Sequence, residues 1–504
     1  MHKLRLLLSV GTMVGLVASA AHAARIIDMT GNPDTVTGTG TATLPDGFVE
    51  MGSPYSGGQG LETETAVPFA KPQPGTVNMR LNLEVNEFPM AAWWSGMNGS
   101  GTPASNAGNK QQAFGIAGYI RLDFGLDGQT KNGVRYGAFT EVRENNTTSI
   151  GGGTASLPGV TSTSPTGLAG SSFTSGFAQS ASADSSDNTL YVRQANVYVG
   201  TDNLGFVRIG TGLGAQTLFE TGLIDDFDWG GWNQFSGSIN AATNVQPIWP
   251  WADDGGEYMA GRIMYVSPVI AGFDFGIAFA PNNSTPFDGS GCSSAFGGVG
   301  CATQSSSTLA GDFGRYRNEL GIAARYRNTF GPVGVAVSGI YTTSGVVEDA
   351  VAPEAFKGLN IGDIGASVQL NHQIEVGGNV MWGAFNGNWG LQPVGGASAV
   401  AWVAGVKYTI PQLPMTVGTY YFDYKNQGQP GLPTQRNEQG LDVGAVYGLG
   451  PGVVLLAEYA WGQREQGDFN FLTGACGNCS TTAGANLDNK VQVQLVTAGV
   501  SVRF

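Results

Sequence analysis

The sequence predicts an all-β fold, a closed antiparallel transmembrane β-barrel of sixteen strands. Three observations predict it. Segments of about ten residues alternate apolar with polar or small side chains, the period of two that lipid-facing barrel strands require. Past residue 23 no stretch approaches the ~18–20 uninterrupted apolar residues of a membrane helix. The segments also come in pairs, with a short turn inside each pair and a long connection between pairs.

Taken in order, the chain opens with His2, Lys3 and Arg5, an apolar run over residues 4–18, and then Ala21-His22-Ala23, small residues at the spacing signal peptidase cuts. The run is almost long enough for a membrane anchor. The cleavage pattern, followed directly by polar sequence, favours removal, so residues 1–23 read as a signal peptide. Residues 24–75 are a Gly/Thr/Pro-rich segment, most simply flexible. Residues 76–504 hold the barrel.

The first strand alternates Val77, Met79, Leu81, Leu83 and Val85 against Asn78, Arg80, Asn82, Glu84 and Asn86. Residues 119–127 turn through Gly128-Gln129 into 134–143, and 189–200 turn through Asp202-Asn203 into 205–211. Residues 258–267 turn at Pro268 into 273–280, and 318–327 turn at Gly331-Pro332 into 333–341. Residues 362–370 lead to 376–384, 399–408 turn at 411–414 into 415–423, and 441–447 turn at Gly450-Pro451 into 453–461. In the last strand Val496, Ala498, Val500, Val502 and Phe504 share one face. Seven hairpins with a strand at each end give sixteen, an even number that closes an antiparallel sheet with both termini on one side. Closure is obligatory, because hydrocarbon offers no partner to an open edge. Short turns at one end and long Gly/Ser/Thr/Asn connections at the other match the periplasmic and external ends of outer-membrane barrels. Tyr265, Phe273, Tyr326, Tyr408, Tyr447 and Tyr459 fall near strand ends, where interfacial aromatics sit.

Composition agrees with that class. Charged residues are 12% of the chain, about half of the ~25% usual in soluble domains, which suits a secreted β-rich protein as well as a barrel whose outer face meets lipid. The net charge is −14, and two units more negative once Lys3 and Arg5 leave with the leader. Nucleic acid is thereby excluded as a partner, because phosphate binding needs basic patches.

Five segments resemble the general trimeric porins of Gram-negative bacteria. They are RLDFGLDGQTKNGVRYGAF from Arg121, YVRQANVYVGTDNLGFVRIG from Tyr191, GRIMYVSPVIAGFDFGIAFA from Gly261, ELGIAARYRNTFGPVGVAVSGIY from Glu319 and the closing GVSVRF. The resemblance implies a homotrimer in the outer membrane, among its lipid and lipopolysaccharide, and a third external loop folded inward to narrow the pore. It also implies that Phe504 is the terminal signal read by the outer-membrane assembly machinery. The function implied is a water-filled channel for passive diffusion of ions and small hydrophilic solutes, with no cofactor and no catalysis. A substrate-selective channel for sugar or one ion is the alternative. Two departures stand out. Residues 24–75 precede the first strand, where a plug or two further strands are also open readings, and Thr211 stands where the pattern has another Arg.

The connection over about 212–257 occupies the place of that third loop. It contains LFETGLIDDFDWGGWNQF, in which Glu220, Asp225, Asp226 and Asp228 form the densest acidic patch of the chain. Arg80, Arg121, Arg135, Arg143 and Arg208 fall on lumen-facing parities. Acids facing arginines across a narrow aqueous gap would set up a transverse field, focused by low-dielectric walls. A solvated loop and a wide lumen are the ordinary alternative. Clustered carboxylates also suit a hard cation such as Ca²⁺, but no metal is expected.

Other signals point nowhere sharper. After the leader the one histidine is His372, which leaves a Ser-His-Asp mechanism or an imidazole metal site without support. Cys292 with Cys301, and Cys476 with Cys479, are close pairs within long connections of an exported chain and read as disulfides. Residues 210–214 imitate a phosphate-binding glycine run without its spacing or its βαβ setting.

Overall fold

A computed structural model describes residues 73–95, 114–145, 190–224, 247–251, 260–282, 316–346, 356–371, 373–387, 389–429, 431–450, 453–469, 471 and 489–503. Its strands are β1 (Thr76–Ser95), β2 (Phe114–Gln129), β3 (Arg135–Asn145), β4 (Leu190–Thr201), β5 (Gly205–Thr211) and β6 (Gly261–Val266). There follow β7 (Phe273–Asn282), β8 (Tyr316–Phe330), β9 (Val333–Val346), β10 (Phe356–Lys357), β11 (Asn360–Leu370) and β12 (Ile374–Ala384). The last are β13 (Gln392–Pro393), β14 (Ala399–Ile410), β15 (Met415–Asn426), β16 (Arg436–Gly450), β17 (Val453–Glu465) and β18 (Lys490–Arg503). Among the described residues, sixteen of these form one closed antiparallel barrel, while β10 and β13 pair with each other outside it. The seal is β1 on β18, with Glu84 opposite Arg503 and Ser95 opposite Gln492.

Alternation writes the two faces. On β11, Ile364, Ala366, Val368 and Leu370 are exposed while Asp363, Ser367 and Gln369 are buried inside. The same division runs through β12, where Val376 and Val380 point out and Glu375 and Asn379 point in. Outside, an apolar belt meets lipid without cost. Inside, backbone hydrogen bonds are already closed, and the side chains are free to be polar.

The strands predicted from periodicity all occur, but β1 and β18 run further toward the long-connection end. Alternation in hydropathy is lost there because the inner face turns apolar. Phe88, Met90 and Ala92 of β1 and Val491, Val493 and Leu495 of β18 are all buried. The reversal between β6 and β7 falls later than Pro268. Ile270 and Phe273 exchange both backbone hydrogen bonds around Ala271 (φ 53°) and Gly272 (φ 87°). Positive φ at both central residues is the primed turn whose twist matches the strands it joins. At the same end Phe273 packs on Tyr326 at 4.5 Å and the Tyr265 hydroxyl donates to the Leu204 carbonyl at 2.7 Å. Tyr459 instead lies mid-strand, donating to Gln494.

Candidate functional site

The third long connection leaves β5 at Thr211 and rejoins β6 at Gly261. Its incoming limb is tied to the inner wall from the first residues. The Arg208 guanidinium donates to the Leu213 carbonyl and lies 3.3 Å from the Met264 sulfur. A short helix, α1 (Ala215–Phe219), follows with all five residues buried, seated on β7, β8 and β9. Arg325 of β8 secures its end, with its guanidinium 4.9 Å from the Phe219 ring and one nitrogen donating to the Leu218 carbonyl at 3.1 Å. The Thr221 amide then donates to Ser338 Oγ at 3.0 Å, and the Thr221 carbonyl accepts from Asn379 Nδ2 at 3.2 Å.

Absent side chains make room for this limb. Gly276 of β7, Gly365 of β11, Gly377 of β12 and Gly405 of β14 line its path on the inner wall. A Cβ on Gly365 would overlap the Thr221 carbonyl, one on Gly377 would stand 2.8 Å from the Gly222 oxygen, and one on Gly405 2.9 Å from Ile224 Cβ. Gly222 has φ 87° and leaves no space for a side chain against the Gly378 carbonyl, so the close approach is mutual.

The outgoing limb, residues 247–251, lies on the adjoining part of the wall, over β15 and β16. The Ile248 amide donates to Glu438 Oε2 at 2.9 Å. Trp249 packs on Tyr420 and Phe422 at 5.2 and 5.1 Å. Trp251 Nε1 donates to Asn379 Oδ1 at 2.7 Å, and Trp389 Nε1 donates to the Pro250 carbonyl at 3.0 Å. Aromatic rings suit this seat because they bury much area while spending one hydrogen on a fixed acceptor.

The wall cations are arranged in pairs. Arg121 lies 3.4 Å from Glu141 and 3.8 Å from Glu84. Arg262 meets Glu319 at 3.0 Å, Lys407 meets Glu375 at 3.0 Å, and Asp274 receives both Arg325 (2.8 Å) and Arg327 (3.1 Å). Arg464 holds Glu438 with two bonds, at 2.8 and 3.0 Å. Among the described residues, the buried charged side chains are twelve carboxylates and eight cations. Glu220 of the third connection is one of the twelve, so the wall itself carries eleven carboxylates against eight cations.

Of the residues singled out from sequence, Arg121, Arg135 and Arg208 are buried on the inner face. Arg135 stands at the short-turn end, 3.3 Å from Asp202, away from the third connection. Arg208 faces the root of that connection instead of an acidic strip. Arg80 and Arg143 lie on β1 and β3. Glu220 is buried and caps α1, its amide donating to the Gln216 carbonyl at 3.0 Å. Asp225, Asp226, Asp228, the four cysteines, His372 and Phe504 lie outside the described residues. Arg262, Arg325, Arg327, Lys407 and Arg464 escaped the sequence reading, although the same inward parity on their strands marks them. Asn379 carried no signal.

The profile of a family described as Gram-negative porin matches residues 11–467. Among solved structures, the chain is similar to an anion-selective porin from Comamonas acidovorans, with 14% identity and a TM-score of 0.49 over 85% of this chain and 100% of that one. It is also similar to a mutant of the Rh. blastica porin, with 13% identity and a TM-score of 0.44 over 85% of this chain and 100% of that one. Salmonella typhi OmpF in complex with daunomycin gives 11% identity and a TM-score of 0.48 over 84% of this chain and 97% of that one. No curated protein matches the sequence.

Proposed function

Because the chain belongs to the Gram-negative porin family, an outer-membrane β-barrel channel, we propose that it passes ions and small hydrophilic solutes by passive diffusion through a water-filled pore with a modest preference for cations. It would act as a channel and not as an enzyme. One observation carries the cation preference: twelve buried carboxylates against eight buried cations among the described residues. Fixed charge beside a narrow path raises the local concentration of counter-ions, and salt screens the effect over about 10 Å at 0.1 M. The paired arginines cancel part of the field, which keeps the preference modest.

In this reading Glu220, Asp225, Asp226 and Asp228 carry the acidic side of the constriction. The zero-current potential across a planar bilayer in a KCl gradient should indicate cation selectivity, most strongly at low salt. Replacing Asp225, Asp226 and Asp228 together by Asn should shift it toward anions. An unchanged potential would remove those three acids from the ion path.

A homotrimer follows from the same reading, and two features of the outer face support it. β5 and β6 have seven and six residues, fewer than the ~9–11 that cross a bilayer. Glu87 of β1 shares the outward parity of Val77 to Val85 and lies over Gly118 of β2, and a charge on the lipid face is costly at depth. β1 to β6 are six consecutive strands of the sixteen, so both features lie in one sector of the outer face. Native mass spectrometry in mild detergent should show three chains, and a monomer mass would refute the trimer.

The leader over 1–23, recognition of Phe504 by the assembly machinery, and contact of the belt with lipopolysaccharide belong to the same proposal. So do disulfides Cys292–Cys301 and Cys476–Cys479. Peptide mapping without reduction should recover both linked pairs, and thiols open to alkylation would refute them.

A further inference from the structure

The Asn379 side chain hydrogen-bonds both limbs of the third connection. It is buried on the inner face of β12. Its Nδ2 donates to the Thr221 carbonyl of the incoming limb at 3.2 Å, and its Oδ1 accepts from Trp251 Nε1 of the outgoing limb at 2.7 Å. The second Nδ2 hydrogen goes to Asp363 Oδ1 on neighbouring β11 at 3.0 Å. The amide's orientation is fixed by the two limbs themselves, because an indole N–H can only donate and a backbone carbonyl can only accept.

We propose that Asn379 is a positioning residue that clasps the two limbs at one point of the wall and thereby sets the aperture of the pore. This rests on the channel reading above. The chemistry calls for an amide in particular. One limb presents a carbonyl and the other an indole N–H, so the group between them must donate and accept at once. Aspartate lacks the donor, and leucine has neither function. Each limb also has its own anchors: Ser338, Arg325 and the glycine track for the incoming one, Trp389, Glu438 and the aromatic seat for the outgoing one. Loss of Asn379 therefore unties the limbs from each other without unfolding either. A loop whose two roots are fixed at one point spans a defined distance, and one whose roots part samples a range.

The test is single-channel recording in planar bilayers on Asn379→Leu, Asn379→Asp and Trp251→Phe, with Asn379→Gln as the conservative variant. Trp251→Phe keeps a ring on Phe422 and removes only the indole donor. Barrel assembly is checked by the shift in gel mobility between boiled and unboiled samples. With assembled barrels, Leu, Asp and Phe variants should change conductance by about 1.5-fold or more and raise open-channel noise, while Gln stays nearer the parent. If Asn379→Leu does not assemble, Trp251→Phe decides the matter alone. Parent-like conductance and noise in the assembled variants would overturn the clasp. Absence of channels from the parent protein itself would instead overturn the channel reading.

Discussion

Lys407 and Glu375 show what a single wall residue contributes. Their contact at 3.0 Å is buried on both sides, and it faces the lumen between β12 and β14. Removing a cation from such a pair leaves its partner's charge uncompensated, here on the inner side of the wall. Lys407→Gln should therefore raise the cation-to-anion permeability ratio, by less than about twofold given the other charges nearby. The reversal potential in a KCl gradient reads this directly, and a shift toward anions would contradict the acidic-wall account. Individual charges were legible in the sequence only as to face. Their partners were not, because pairing depends on register. Arg262 and Glu319 are 57 residues apart in sequence and sit on strands two apart, yet they meet at 3.0 Å.

At the scale of elements, lipid makes strands easy to read and loops hard. A belt that must be apolar on every second residue imprints its period on the chain, and so the hairpins show. The period fades at the far end of β1, where Phe88, Met90 and Ala92 put hydrophobic side chains on the inner face too. The seat of the third connection was illegible for a different reason. It is built from what is missing at Gly276, Gly365, Gly377 and Gly405, and a glycine in a strand does not say what approaches it. Asn379 is equally mute, one amide in a chain rich in Asn. The turn between β6 and β7 offers a test at this scale. Gly272→Ala should cost about 1–2 kcal/mol, since an L side chain is disfavoured at its positive φ, and its Cβ would also crowd the Arg327 carbonyl at 2.6 Å. Ala271→Gly, at φ 53°, should instead gain up to about 1 kcal/mol. Urea unfolding of both variants in the same detergent gives the comparison, and equal midpoints would refute the turn assignment.

For the whole molecule, the closed sheet divides labour between its two sides. The outer face carries the apolar belt, while the inner face carries ion pairs, a glycine path and an aromatic seat that hold the third connection in place. The seam that makes the cylinder possible joins β1 to β18, so that Trp94 lies opposite Val493 and Glu84 opposite Arg503. These partners are separated by about four hundred residues of chain. The contact order of that seam is close to the maximum the chain allows, and its closure entropy falls due only when the final strand has been made. Without residues 490–503 the first strand has no neighbour on one side, and hydrocarbon admits no such edge. Closure thus depends on β18: a chain lacking that strand has no partially completed barrel to fall back on in the bilayer.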